Sequence, residues 1–178
     1  MILKWAIAQK KIIDASRSNY LAKLDDSNTR LTNRHSTLRF ISALGLDIGR
    51  KRIGIAGCDP TGLIAAGIVT IERQSFMQDV EKIRLLVEER KVKTLVAGLP
   101  YSMDGSLGFQ ARQVQKFAHR LAEALKLPVE FVDERLTSYQ AEQMLIKQNI
   151  SPSRHKGLVD RKAASIILQQ WLDSQKSW

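Results

Sequence analysis

The sequence predicts an α/β protein in which a five-stranded mixed sheet is covered by helices on both faces. Three short runs rich in Ile, Leu and Val come first, "ALGLDIG", "RIGIAGCD" and "GLIAAGIVTI", and turn residues separate them. This pattern predicts an antiparallel meander. Because the later apolar runs alternate with segments of helical period, the sheet is expected to contain parallel strands as well.

The later elements are predicted in the order helix, strand, helix, strand, helix. The segments "SFMQDVEKIRLLVEERK" and "GFQARQVQKFAHRLAEALK" have apolar residues at helical spacing, and "TSYQAEQMLIKQN" opens a third helix. The runs "VKTLVAGLP" and "LPVEFVDERL" are the two strands between them. A last helix covers "GLVDRKAASIILQQWLDS" and places Asp160 in its first turn. The predicted order is therefore β-β-β-α-β-α-β-α, with one helix added at the end.

Length and charge narrow the class of protein. The chain of 178 residues suits one main domain, and its net charge of +10 favours an anionic partner, nucleic acid before a membrane. A basic surface without such a partner is the alternative. The single cysteine, Cys58, excludes an intramolecular disulfide and a Cys-based zinc cluster, and it suits a reducing cytosol. No signal-peptide pattern and no apolar run of roughly 18 to 20 residues occur, so we expect a soluble protein with no membrane partner.

Residues 1–42 differ in character from residues 43–178, which we predict to form the domain. The first 42 residues are basic and contain no Gly or Pro. Residues 27–37 are polar without a regular period, which predicts a flexible extension, and residues 1–24 could form a basic amphipathic helix. Three interpretations compete: a nucleic-acid-binding arm, an organelle transit segment that the acidic residues disfavour, and the product of an upstream start codon with no fold of its own.

Three acidic positions stand out against the apolar pattern. Asp47 interrupts the first strand, Asp133 and Glu134 end the fifth strand, and Asp160 opens the last helix. An ionised carboxylate in the interior needs a compensating partner. If the sheet brings Asp47, Glu134 and Asp160 to one edge, their hard oxygens suit Mg²⁺ or Mn²⁺, and one or two such ions could hydrolyse a phosphodiester.

Each acid also has a simpler explanation. Asp47 could pair with Arg52 or Lys51, and Glu134 could pair with Arg135 or a neighbouring lysine. Asp160 could complement the helix dipole. The joint occurrence of the three acids in a basic chain favours the metal-site hypothesis.

Two loops could add to the site. Asp104, in "GLPYSMDGSLG", is first a turn residue and second a fourth metal ligand. Arg154, His155 and Lys156, in "SPSRHKG", could contact a phosphate backbone without reading sequence, although a solvated connection is the alternative.

Four motifs in order and spacing resemble the YqgF family, also called RuvX: "GLDIGRKRIGIA", "GLPYSMDGSLGFQA", "VDERLTSYQAE" and "KGLVDRKAASIILQQWLD". The resemblance covers about residues 44 to 174. It implies an RNase H-like fold and a cytoplasmic, metal-dependent endonuclease linked to maturation of the 5′ end of the small-subunit ribosomal RNA precursor. By motif, Asp47, Glu134 and Asp160 take the positions of the family's catalytic and metal-binding acids.

The departures from the family pattern are few. Cys58 stands where Ser or Ala is more usual, Tyr101 and Ser102 replace Leu and Asn, and Leu107 replaces a polar or acidic residue. The change at Leu107 weakens the case for Asp104 as a ligand. Residues 1–42 lie outside the pattern.

The leading hypothesis is a hydrolase in which Asp47, Glu134 and Asp160 hold one or two Mg²⁺ or Mn²⁺ ions and cleave structured RNA. Electrostatic affinity for the nucleic acid would come from five cations: Lys51, Arg52, Arg135, Arg154 and Lys156. The chain is expected to act as a monomer or homodimer. The rivals are a Holliday junction resolvase acting on branched DNA, a noncatalytic RNA-binding factor in ribosome assembly, and, least favoured, an actin-like or sugar-kinase ATPase, which needs two such domains.

Overall fold

A computed structural model describes residues 41–102, 104–135 and 137–176. The prediction for residues 1–42 lies outside this part of the chain, apart from residues 41 and 42. Five strands and four helices follow in sequence: β1 Ala43–Ile48, β2 Arg52–Cys58, β3 Ala65–Glu72, α1 Phe76–Arg90, β4 Thr94–Leu99, α2 Phe109–Leu125, β5 Val129–Asp133, α3 Thr137–Lys147 and α4 Lys156–Gln175. The predicted order of elements is confirmed.

The strands form one sheet in the spatial order β3-β2-β1-β4-β5. Strands β1, β2 and β3 are antiparallel neighbours, whereas β4 runs parallel to both β1 and β5. Since parallel strands need a crossover connection, helices α1 and α2 follow β3 and β4. The carboxyl ends of β1, β4 and β5 therefore meet at one edge of the sheet.

Helices α1 and α2 cover one face of the sheet with a large apolar core. This face contains Leu44, Leu46, Ile53, Ile55 and Leu95 from the strands, all fully buried. The core continues into the two helices with Val80, Ile83, Leu86, Val114, Phe117 and Leu121. Branched residues of this kind fit a pleated, buried surface, so the strands form where the sequence predicts them.

Helix α4 covers the other face, where the strand residues are smaller. Ala43, Ala56 and Val96 lie under its Ala164, Ile167, Leu168, Trp171 and Leu172. Helix α3 packs against α4. Cys58 is buried at this face as a free thiol.

Helix α4 begins earlier than predicted. Lys156 is its first residue and His155 precedes it, so Asp160 lies in the second turn and no acid lies in the first. The predicted location of Asp160 in the first turn is therefore wrong, because the helix starts at Lys156, one residue before the predicted start at Gly157. A simple charge-dipole role for Asp160 loses its basis, since that effect fades beyond the first turn.

None of the helices in the described part of the chain is both long enough and apolar enough to cross a membrane.

Candidate active site

Asp47 lies near the end of β1 and faces helix α4. Side chains alternate along a strand, so Asp47 shares a face with Ala43 and Gly45, while Leu44, Leu46 and Ile48 face the larger core. It is the one residue of β1 that is not fully buried. Its carboxylate is therefore directed to the helix-covered face at the edge of the sheet.

Gly54 allows α4 to approach Asp47. In the β1–β2 register Gly54 is directly opposite Asp47, so any side chain at position 54 would project to the same face. A Cβ atom built there would lie 2.1 Å from the backbone oxygen of Asp160. Because Gly54 lacks that atom, the turn of α4 that carries Asp160 rests on β2 beside Asp47.

Glu134 reaches the same edge from β5. Its backbone N–H donates to the oxygen of Leu99 at 3.2 Å, and its own oxygen accepts from the N–H of Thr137 at 2.9 Å. Its carboxylate lies over the backbone of Gly98, where a Cβ atom would be 2.0 Å from Oε2. Two backbone hydrogen bonds and one missing side chain therefore position Glu134.

Asp47 interacts electrostatically with both of the other acids. Burial, followed by the charge of Asp160, raises the pKa of Asp47 to about 7, and Arg52 opposes the shift. Burial, followed by the charges of Asp47 and Asp133, raises the pKa of Glu134 to about 8. Each ionised carboxylate would thus be stabilised by an added cation.

Asp160 differs from these two acids because a cation already pairs with it. The guanidinium of Arg52 donates to both of its carboxylate oxygens. Both side chains are mostly buried, at 28% exposed for Arg52 and 18% for Asp160. The alternative that paired Arg52 with Asp47 is therefore wrong, because Arg52 reaches across to the helix instead.

The three predicted acids meet as neighbours but not as a preformed metal cage. Within the described residues, no three His, Cys, Asp or Glu side chains converge in an arrangement that could hold a metal ion. The Arg52–Asp160 pair accounts for this, since it directs the third carboxylate to a guanidinium. The assignment of the three acids as metal ligands stays a prediction.

A cationic cleft of about 530 Å³ opens over these residues. It is lined by Asp47, Gly49, Arg50, Lys51, Arg52, Lys156 and Asp160. Three of the five predicted nucleic-acid contacts, Lys51, Arg52 and Lys156, thus lie around Asp47 and Asp160. Arg50 was not among the predicted contacts, although it stands in the same "GRKR" run and the turn exposes it.

The other predicted site residues lie apart from this cleft. Arg135 pairs with Asp133 at 2.6 Å, both side chains being exposed, and this pairing lowers the pKa of Asp133. The alternative pairing of Arg135 with Glu134 is therefore wrong. Asp104 is exposed and accepts a hydrogen bond from the Ser106 N–H at 2.9 Å, as a turn residue does. Arg154 is exposed in the loop before α4.

Gly54 and Gly98 shape the candidate site, and the sequence reasoning missed both. Both occur in otherwise apolar strands, at positions that alternate with core residues. A glycine inside a strand often marks a close approach of another backbone or ligand. That signal was present in "RIGIAG" and "VAGLP".

A family model described as RuvX, Holliday junction resolvase, matches residues 41–174. This chain belongs to the RuvX family. A relative from Trichormus variabilis, named pre-16S rRNA nuclease, is 72% identical over 139 residues, covering 78% of this chain and 92% of that protein. A relative of the same name from Crocosphaera subtropica is 65% identical over 137 residues, covering 77% of this chain and 96% of that protein.

The fold also has a counterpart among solved structures. The fowlpox virus resolvase, crystallised with Holliday junction DNA, aligns with a TM-score of 0.50 and 12% identity over 77% of this chain and 100% of that chain. At this identity the likeness supports the fold alone. The RNase H-like fold and the RuvX family are both confirmed, and with the family the class of enzyme, a nuclease.

Proposed function

We propose that this RuvX-family nuclease is a metal-dependent endonuclease that hydrolyses a phosphodiester bond in the precursor of 16S ribosomal RNA. The observation that carries the proposal is the neighbouring pair of carboxylates, Asp47 and Glu134, beside a cleft lined by Arg50, Lys51, Arg52 and Lys156. Acids that need a cation therefore lie next to cations that need an anion. This is the charge arrangement that a phosphodiester and a divalent ion would complete.

The residues present fit a divalent cation. Asp47 and Glu134 are partly buried, burial raises the pKa of both, and the charge of Asp47 raises the pKa of Glu134 further. Both offer only hard oxygen donors, which suit Mg²⁺ or Mn²⁺. These two carboxylates would hold the ion, and Asp160 is the third candidate. When bound, such an ion supplies an activated water and stabilises the leaving oxygen.

The chain's own cations would bind and orient the substrate. Lys51 in the β1–β2 turn and Lys156 at the start of α4 lie on the rim of the cleft, where each could contact a phosphate oxygen as a point charge. Arg52 would hold Asp160 in place through its two donors. Backbone contacts of this kind give affinity without reading sequence.

The choice of RNA follows the names of the relatives. Two relatives at 65% and 72% identity are named pre-16S rRNA nuclease, and their matches cover more than nine-tenths of their own length. We therefore place the activity at the small-subunit precursor, in the cytoplasm. A four-way DNA junction is the alternative substrate, favoured by the description of the family model.

The test is cleavage of two substrates side by side. A precursor 16S rRNA fragment and a four-way DNA junction are incubated with the purified chain, with Mg²⁺, with Mn²⁺ and with a chelator. We expect metal-dependent cleavage of the RNA, and a loss of at least about 100-fold in Asp47→Asn and in Glu134→Gln, since each removes one carboxylate charge.

Matched controls separate the effect of losing a carboxylate in the site from the effect of changing the net charge of the protein. Asp173→Asn in α4 and Glu89→Gln in α1 make the same chemical changes at exposed positions and should leave the rate unchanged. If Asp47→Asn cleaves as fast as Asp173→Asn, the catalytic assignment is wrong. Preferential cleavage of the junction would show that the substrate is branched DNA rather than precursor RNA.

One observation favours a second candidate, a noncatalytic RNA-binding factor in ribosome assembly. Arg52 already neutralises Asp160, so one of the three family acids is engaged within the protein. If Asp47→Asn binds precursor RNA and supports growth as the wild type does, this second candidate replaces the enzyme.

A further inference from the structure

A second groove lies on the opposite side of the β1–β2 turn from the catalytic cleft. It has a volume of about 340 Å³ and is lined by Arg50, Arg73, Gln74, Ser75, Phe76, Asp79 and Gln113. A smaller hollow of about 190 Å³ shares Arg50, Arg73 and Gln113 with it and continues to Gly49 and Ile48. The groove thus runs between the turn, the start of α1 and the first half of α2.

The turn formed by Gly49, Arg50 and Lys51 divides this groove from the catalytic cleft. Arg50 and Gly49 line both the catalytic cleft and the hollow that continues the second groove. Three residues span at most about 10 Å, and each strand of a duplex advances about 3.4 Å per nucleotide. A nucleic acid held in the catalytic cleft would therefore extend past the turn within about three nucleotides.

Arg73, which lines the second groove, stabilises the turn between the two sites. The backbone N–H of Arg73 donates to the oxygen of Lys51 at 2.9 Å, and its Nη1 donates to the oxygen of Gly49 at 2.8 Å. The same guanidinium lies 4.2 Å from the centre of the Phe117 ring. Because Arg73 is held on three sides, the turn is fixed in place without a ligand.

The charge that remains in the groove is positive. Asp79 is its only acid and is 1% exposed, with hydrogen bonds from Arg73 Nε at 3.4 Å and the Gln74 N–H at 3.3 Å. Arg50 is exposed and forms no ion pair with any residue that the structure describes. The acid is thus compensated within the protein, whereas Arg50 is available to an anion.

Apart from the ring of Phe76, the remaining lining is polar and neutral. Gln74, before helix α1, and Gln113, in helix α2, are exposed amides that line the groove, and Ser75 lies between Gln74 and helix α1. Amides and hydroxyls beside one guanidinium are the groups that contact phosphate and sugar oxygens in nucleic-acid complexes. They do not form the apolar lining that a drug-sized organic ligand needs.

We infer that the second groove binds the phosphodiester backbone of the nucleic acid as it continues beyond the cleaved bond, so that the β1–β2 turn sits between two stretches of substrate. This inference rests on the proposed function, since it takes the catalytic cleft to hold nucleic acid. Its consequence is a preference for structured substrates over short single strands, because only a longer substrate occupies both sides of the turn.

The test is the affinity of full-length protein for nucleic acids of two sizes, measured by fluorescence anisotropy in EDTA at several salt concentrations. The probes are a hairpin RNA, a four-way DNA junction and a single strand of two nucleotides, ~7 Å at 3.4 Å each, which is too short to pass the turn. The variant is Gln113→Glu, which places a negative charge at an exposed position in the groove. We expect about 5-fold weaker binding of a structured probe and less than 2-fold change for the short strand.

Gln170→Glu is the matched control, since it makes the same change at an exposed position of α4 outside the groove. Arg50→Ala should lower the magnitude of the salt-dependence slope for a structured probe by about one, as expected for one lost phosphate contact. An effect on only one structured probe supports the inference and shows whether RNA or DNA occupies the groove.

Three results would overturn the inference: unchanged affinity in Gln113→Glu, equal weakening for the short strand, or equal weakening in Gln170→Glu. The failure of the proposed function looks different, because it is absence of cleavage by the wild type, whatever the binding results.

Discussion

The two faces of the sheet are built on different principles. Under α1 and α2 the strands present Leu44, Leu46, Ile53, Ile55 and Leu95, which fill the space between sheet and helices. Under α4 the corresponding positions include Gly45, Gly54 and Gly98, and the helix or a carboxylate lies directly on the strand backbone. The first face stabilises the fold through apolar burial. The second face has smaller strand residues, which let helix α4 and a carboxylate lie close to the strand backbone. All three candidate acids lie on this face.

A core truncation on the apolar face should have the largest effect on stability. Ile83 of α1 is fully buried. Ile83→Ala should lower the free energy of unfolding by about 4 kcal/mol, through lost transfer energy and the cavity left behind. Chemical denaturation measures this, and Leu85→Ala, on the exposed side of the same helix, should cost less than about 1 kcal/mol.

Ile83→Ala molecules that remain folded should cleave the substrate at the wild-type rate, because Ile83 lies on the face without the acids. A large loss of rate in folded protein would show that the apolar face contributes to the site, and the division between the faces would be wrong.

A small addition on the α4 face should be almost as costly. Gly54→Ala places a Cβ atom 2.1 Å from the backbone oxygen of Asp160, which cannot rotate away. We expect a loss of about 3 kcal/mol in unfolding free energy, because helix α4 must move off β2. Gly157→Ala, whose Cβ would be 3.5 Å from Thr70 Oγ1, is the control and should be close to neutral. Equal stability of the two variants would contradict the close-approach explanation.

These two faces also differ in how far the sequence predicts them. The apolar face follows from periodicity, since Ile83 and Val80 repeat at helical spacing and Leu44 and Leu46 at strand spacing. The acids of the other face were found because a carboxylate such as Asp47 is out of place in an apolar strand.

The pairings between these elements could not be predicted in the same way. Arg52 lies five residues from Asp47 in sequence but pairs with Asp160, 108 positions away, because α4 settles on Gly54. Asp160 lies in the second turn of α4 rather than the first because the helix starts at Lys156. No side chain caps that start, so the sequence contains no capping signal from which it could be predicted. Contacts across elements depend on distances of a few ångströms, which periodicity does not carry.

Gly98→Ala tests whether a glycine on the α4 face serves the site more than the fold. The added Cβ atom would meet Glu134 Oε2 at 2.0 Å and Ile167 Cδ1 at 2.5 Å, and both are ends of flexible side chains. We expect a stability cost of only about 1 kcal/mol. The cleavage rate should fall about 100-fold, equivalent to about 2.7 kcal/mol, because the carboxylate is displaced.

A double-mutant cycle with Glu134→Ala checks this explanation for Gly98→Ala. If the clash with Glu134 is the cause, the stability cost of Gly98→Ala should fall by at least about 0.5 kcal/mol in the Glu134→Ala background. A cost that is the same in both backgrounds would assign the effect to Ile167 and remove Gly98 from the site.

The smallest effect concerns the charge on the α4 face. The pKa values of Asp47 and Glu134 are raised to about 7 and about 8 in the folded protein, whereas both ionise near pH 4 when unfolded. Between these limits the folded state binds more protons than the unfolded state. Without metal, stability should therefore fall as pH rises from about 4 to about 8, and level off above that.

Asp47→Asn should remove part of this decline. At pH 8 without metal the variant should be more stable than the wild type by about 2 kcal/mol, below the roughly 4 kcal/mol of the full shift because Asp47 is partly solvated, and at pH 4 the two should be similar. Thermal unfolding across this range, with Asp173→Asn as control, measures the difference. A wild type as stable at pH 8 as at pH 4 would mean that the α4 face holds no uncompensated charge, and the main physical reason for a cation at Asp47 and Glu134 would be gone.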